Sequence, residues 1–239
     1  MTGRAALVTG GSAGIGLAIA RFLVDAEYGV TIAARDPDRL RAAVAELGER
    51  GGPVEGVEAN LAEVADLTRL TDAHRERFGR LDILVSNAGV GLPGPIEDVA
   101  DRHVDLQLDL NLRAAVLLLR ECAPLLRAAG REHGKALAVL VSSLFGKLPQ
   151  PNVAVYSATK AALVALGASA QAEWGEDGVQ VSALCPGWVD TPGTEWVKDV
   201  PKARMIRVED VAEAVRFLLA LSPSCRVPEL TMLPPGGAP

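Results

Sequence analysis

Tyr156 and Lys160 stand four residues apart in "YSATK". On a helix, side chains at that spacing share one face. A tyrosine phenol ordinarily titrates at about 10, too high for a base at neutral pH. An ammonium beside it favours the phenolate and lowers that value. The pair can then exchange a proton with an alcohol or carbonyl oxygen. Taken alone, the same spacing also describes a solvated helix face. The setting adds to it: "VSS" at 141–143 ends an apolar run and brings the Ser142 and Ser143 hydroxyls to the end of a strand.

A second stretch, "TGGSAGIG" at 9–16, fits two patterns. Gly10-Gly11-Ser12-Ala13-Gly14 is a literal G-x-S-x-G, the elbow that presents a nucleophilic serine in hydrolases. Gly10, Gly14 and Gly16 also form a glycine-rich turn able to cradle a nucleotide diphosphate at a helix N-terminus. A hydrolase triad normally runs serine, acid, histidine, with the serine in mid-chain. Here the serine is residue 12 and the last histidine is His133, so the nucleotide turn is the better reading. On glycines alone, it competes with a merely tight strand-to-helix turn.

The elements that position these groups alternate. Short apolar runs at 4–9, 29–34, 54–59, 81–86, 136–142, 179–185 and 229–233 read as strands. Between them lie helical patterns, among them 13–26, a long stretch over 99–129, 153–174 and 208–221. Pro124 is a candidate kink in the long stretch. Asp36-Pro37 opens a helix, with Asp36 as N-cap. This alternation implies an α/β fold: one doubly wound, parallel sheet of about seven strands with helices on both faces. No linker or repeat divides residues 1–239.

Bulk properties exclude several partners. A net charge of −6 with no run of five like charges argues against nucleic acid and anionic membranes. The longest apolar runs, 114–119 and 136–141, fall far short of the ~20 residues that span a bilayer. The glycine turn interrupts the N-terminal apolar patch, so no secretion signal is expected. Cys122, Cys185 and Cys225 show no C-x-x-C spacing and read as reduced thiols of a cytoplasmic protein. His74, His103 and His133 are scattered, and no metal site is expected.

At this point the chain resembles the short-chain dehydrogenase/reductase family over nearly its whole length. The motifs stand in order: "TGGSAGIG" at 9–16, "SNAG" at 86–89, Asn111 in "LNLRAA", Ser143 thirteen positions before Tyr156, "YSATK" at 156–160, and "PGWVDT" at 186–191. The resemblance implies a single-domain Rossmann fold. It also implies hydride transfer between a nicotinamide cofactor and a carbonyl or alcohol.

On the resemblance, Tyr156 is the acid–base, and Lys160 lowers its pKa and holds the nicotinamide ribose. Ser143 bonds the reacting oxygen, Asn111 positions a water that relays protons, and Ser142 is structural. The turn residues Gly10, Ser12, Ala13, Gly14, Ile15 and Gly16 meet the cofactor. Asn87, Ala88 and Gly89 pack beside it; Asn60 and Leu61 lie near its adenine. Pro186, Gly187, Val189 and Thr191 flank the nicotinamide.

The second strand ends in Ala34-Arg35, with no acid for a ribose 2′-hydroxyl and an arginine for a 2′-phosphate. NADP(H) is therefore favoured over NAD(H). Candidate pocket residues are Leu144, Phe145, Leu148, Val155, Trp188 and Trp196, with a short substrate lid at about 192–207. The lining is mainly apolar. It points to a small or medium ketone, aldehyde or secondary alcohol, with a 3-oxoacyl or 3-hydroxy acid substrate as the alternative. A cofactor-binding regulator without turnover is a reading from another class. The family's habits imply a homodimer or homotetramer built through the helices at 99–129 and 153–174.

Overall fold

The computed structural model describes residues 3–195, 197 and 200–235. Seven strands form one parallel sheet: β1 (Ala5–Thr9), β2 (Gly29–Ala34), β3 (Val54–Glu58), β4 (Ile83–Ser86), β5 (Ala136–Val141), β6 (Val179–Pro186) and β7 (Glu229–Met232). Their order is β3-β2-β1-β4-β5-β6-β7. The order reverses between β1 and β4, which pair directly with Leu7 opposite Leu84. A crevice opens outside the carboxyl ends of strands at such a reversal, and ligands of these folds bind there.

Every residue of β1, β4 and β5 is buried. Strands covered on both faces read as continuous apolar runs, which is why these three were legible. Helices α1 (Gly14–Asp25), α2 (Pro37–Glu49) and α3 (Val64–Phe78) connect the first four strands. In α1, Ile19, Phe22 and Leu23 recur at helical spacing and are buried. One core cluster joins α1 to Val211, Val215 and Leu218 of α7 (Val208–Ala220). A second core, on the other face, joins Leu67 and Leu70 of α3 to Leu118 and Leu126.

The stretch expected as one helix over 99–129 is broken. It consists of α4 (Asp101–Gln107), a π-helical turn at Leu108–Arg113, and α5 (Ala114–His133). The interruption falls at Asn111, not at Pro124, which α5 incorporates. Single π turns inside helices frequently mark functional sites. The last long helix, α6, spans Ala154–Trp174.

His74 carries a pH dependence. It is 1% exposed under the sheet. Its Nδ1 lies 2.8 Å from the Thr31 hydroxyl and its Nε2 lies 2.9 Å from the Arg80 carbonyl. A carbonyl only accepts, so Nε2 carries the proton and Nδ1 accepts from Thr31. Burial pushes the pKa down to about 4 from 6.5. Between those values the unfolded chain binds the extra proton and the native state does not. This stabilisation is complete above about pH 6.5 and is lost as pH falls towards 4, by about 3 kcal/mol in all. Urea unfolding at pH 7 and pH 5 should show the drop, and His74→Gln should reduce it. An identical drop in the variant assigns it to other groups.

Candidate active site

The glycine turn between β1 and α1 is tightly constrained. Gly10 and Gly14 have φ of +64° and +52°, in the left-handed region that favours glycine. A Cβ on Gly16 would lie 2.2 Å from the Gly10 carbonyl oxygen. Asn87, just past β4, locks this turn: its Nδ2 donates to the Thr9 carbonyl at 2.9 Å. The backbone amides of Asn87 and Ala88 donate to Thr9 Oγ1 at 2.9 and 3.1 Å. Ala13 occupies the N-cap of α1, so no side chain caps the first-turn amides. A glycine cradle ending in an uncapped helix N-terminus fits a diphosphate.

The ends of β2 and β3 carry the residues expected near the adenosine. Arg35 is exposed there, directly after Ala34. Asp36 is fully engaged as the cap of α2, accepting from the Asp38 and Arg39 amides at 3.0 and 3.1 Å. Those amides and the neighbouring guanidinium of Arg39 hold its carboxyl below the usual range. Asn60 closes a turn by accepting from the Ala62 amide at 3.3 Å, and Leu61 is buried.

Ser143 follows β5 and Tyr156 lies in the first turn of α6, and both line the same cleft. Ser143 Oγ also accepts from the Phe145 amide at 3.2 Å. Lys160 is one turn further along α6. Its Nζ donates to the Val141 carbonyl at 2.8 Å and lies 5.6 Å from the centre of the Tyr156 ring. Burial pushes this ammonium down to about 8. Ser142 Oγ donates to the Lys160 carbonyl at 2.7 Å, tying β5 to α6.

Asn111 sits behind these groups. Its amide accepts from Val90 N at 2.8 Å and donates to Val90 O at 2.9 Å and to Thr159 Oγ1 at 3.1 Å. A Cβ on Gly89 would meet both Asn111 Oδ1 and Lys160 Nζ within 3.2 Å. Asn111 and Lys160 therefore border the same small space.

These groups share one cleft of about 380 Å³. Ile15, Asn87 and Gly89 line one end, with Pro186, Gly187, Val189 and Thr191 beside them. Ser143, Tyr156 and Lys160 line the cleft as well, together with Leu144, Phe145 and Trp188.

Comparison with known proteins agrees with this geometry. The family model described as short chain dehydrogenase matches residues 4–201. The chain belongs to the short-chain dehydrogenase family. Oxidoreductase UcpA of Salmonella typhimurium is 32% identical, the match covering 91% of this chain and 88% of that protein. An alcohol dehydrogenase from the archaeon Thermococcus sibiricus, complexed with 5-hydroxy-NADP, superposes with a TM-score of 0.89. It is 31% identical over 99% of this chain and 98% of its own. A 3-ketoacyl-(acyl-carrier-protein) reductase from Brucella melitensis, complexed with NADH, gives 0.87 at 28% identity over 97% and 96%. This short-chain dehydrogenase is thus an NAD(P)-dependent oxidoreductase with a Rossmann fold.

Several expectations need correction in this dehydrogenase. Leu148 is 50% exposed and lies off the cleft. Val155 does not line it either; Val153 does. Successive helical residues diverge by about 100°, so the neighbour of Tyr156 faces elsewhere. Trp196 lies outside the described residues. Asn111 is 2% exposed and behind the cleft wall.

Burial raises the Tyr156 pKa, against the expectation that it is lowered, and the Ser143 hydroxyl opposes the rise. The lysine stands over the ring rather than at the phenol oxygen, and its proton is directed to Val141. Sequence reasoning also missed Val90, Gly91, Pro93, Gly193 and Thr194 in the lining. Val90 and Gly91 follow "SNAG" directly, which was the available signal.

Proposed function

We propose that this dehydrogenase is NADP(H)-dependent and interconverts a small or medium, mainly apolar ketone or aldehyde with its alcohol, with Tyr156 as the acid–base. The observation that carries the reading is that Ser143, Tyr156 and Lys160 line one cleft with aromatic and aliphatic walls. When bound, the nicotinamide supplies or takes up hydride at the reacting carbon. Ser143 and Tyr156 hold the reacting oxygen, and Tyr156, kept protonated by burial, gives it a proton. Lys160 holds the ribose beside them. Asn111, across Gly89 from Lys160, positions a water that returns the proton. Pro186, Gly187, Val189 and Thr191 keep the nicotinamide end in place. The short substrate lid is taken at about 192–207; of its described residues, Gly193 and Thr194 reach the cleft. Leu108 in the π turn and Val116 on α5, both exposed apolar residues, support a homo-oligomer built through the helical stretches 99–129 and 153–174, which sedimentation would test.

Arg35 and the missing acid at Ala34 support NADP(H), as does the archaeal relative complexed with 5-hydroxy-NADP. Fluorescence titration should show tighter binding of NADPH than NADH; the reverse order overturns the preference. Arg35→Asp should weaken NADPH about tenfold or more by removing a charge-assisted contact to the 2′-phosphate, and leave NADH no weaker. NADPH oxidation against a panel of neutral ketones tests the reaction itself. The Brucella relative favours a second reading, a 3-oxoacyl substrate, so a 3-oxoacyl thioester belongs in that panel.

A further inference from the structure

The cleft lining includes an aromatic corner. Phe145 meets Tyr156 edge-on, with ring centres 6.4 Å apart and planes at 81°. Trp188 meets Phe145 in the same way, at 5.2 Å and 86°. Two tilted contacts in series fix the Trp188 ring relative to the phenol. Phe145 is 9% exposed and acts as the wedge between them. Trp188 is half-buried and lines the cleft.

Gly91 also borders the phenol: a Cβ there would come within 3.3 Å of the Tyr156 ring, a tight contact that glycine avoids. Val90, Pro93 and Val153 add to the lining without polar side chains. Among the described lining residues, Tyr156 and Lys160 are the only ones with titratable side chains, and Lys160 donates to Val141. No arginine or histidine is among the described lining residues to pair with a carboxylate or phosphate on the substrate. The space beside the phenol is therefore a slot bordered by the Phe145 and Trp188 rings and by Gly91.

We infer that this slot selects carbonyl compounds bearing an aryl group, and that Trp188 and Phe145 are the residues that set the preference. The inference rests on the proposed carbonyl reduction. Two electrons and one hydrogen pass from NADPH to the carbonyl carbon, and Tyr156 protonates the oxygen. Aryl ketone, NADPH and a proton thus become aryl carbinol and NADP+. Ring–ring contacts prefer edge-to-face or offset geometry, which an aliphatic ring of the same size cannot reproduce.

The test compares acetophenone with cyclohexyl methyl ketone, which differ in ring character and hardly in size. In the full chain, kcat/KM should favour acetophenone about tenfold, the factor that about 1.4 kcal/mol of aromatic contact gives. Trp188→Leu and Phe145→Leu should each bring the ratio below about threefold. Calorimetric binding of 1-phenylethanol against 1-cyclohexylethanol should show the same preference and the same loss. A wild-type ratio near one, or a ratio unchanged in both variants, overturns the inference. If neither ketone is consumed, the proposed reaction fails, and the binding ratio still decides the aryl preference. Should Phe145→Leu fail to fold, the half-buried Trp188 variant carries the comparison.

Discussion

Tyr156→Phe is expected to lower kcat/KM for ketone reduction by roughly 10²- to 10⁴-fold, the usual worth of a positioned proton donor. The substitution removes one hydroxyl and keeps the ring that Phe145 packs against. It takes away the phenol proton that the proposed mechanism gives to the reacting oxygen. NADPH affinity should stay within about twofold, because the glycine turn and the β4 loop are untouched; a titration checks this separately from turnover. A variant within tenfold of wild type would sink the assignment. The raised Tyr156 pKa gives the pH dependence a sign. A phenol that keeps its proton beyond neutrality is ready to donate, so reduction holds its rate through pH 7. Alcohol oxidation needs the phenolate and should rise with alkaline pH. Steady-state rates in both directions between pH 6 and 10 test the pair of trends.

Gly16→Ala should be the most damaging single methyl in the fold. Its Cβ would lie 2.2 Å from the Gly10 oxygen and 2.7 Å from Asn87 Nδ2, inside contact distance of a backbone atom that cannot rotate away. Relief requires opening the turn, which stretches the 2.9 Å bond from Asn87 to Thr9. A loss of about 3 kcal/mol follows from overpacking together with a weakened buried hydrogen bond. NADPH affinity should fall at least tenfold with it. Gly48→Ala is the matched control: a Cβ there meets nothing within 4 Å, and α2 should gain up to about 1 kcal/mol from better helix propensity. Urea midpoints and cofactor titrations of the two variants should move in opposite senses for stability. A wild-type midpoint in Gly16→Ala would show that the turn yields without cost.

The sequence by itself determined the strand-to-helix alternation, the glycine turn, the cap at Asp36 and the catalytic candidates on β5 and α6. These are local signals. Burial on both faces forces apolar runs in β1, β4 and β5. A left-handed backbone asks for Gly10 and Gly14, and the i, i+4 rule places Lys160 beneath Tyr156. Tertiary structure decided what local spacing cannot express. The π turn at Leu108–Arg113 leaves no pattern in the sequence, and the Asn111 amide bonds there lead to Val90 and Thr159, far along the chain. Val153 faces the cleft while Val155 does not, because the rotation of α6 is set by its packing on β5 and β6. The direction of the Tyr156 pKa follows from desolvation, a property of everything folded around the ring, which the four-residue spacing to Lys160 does not express.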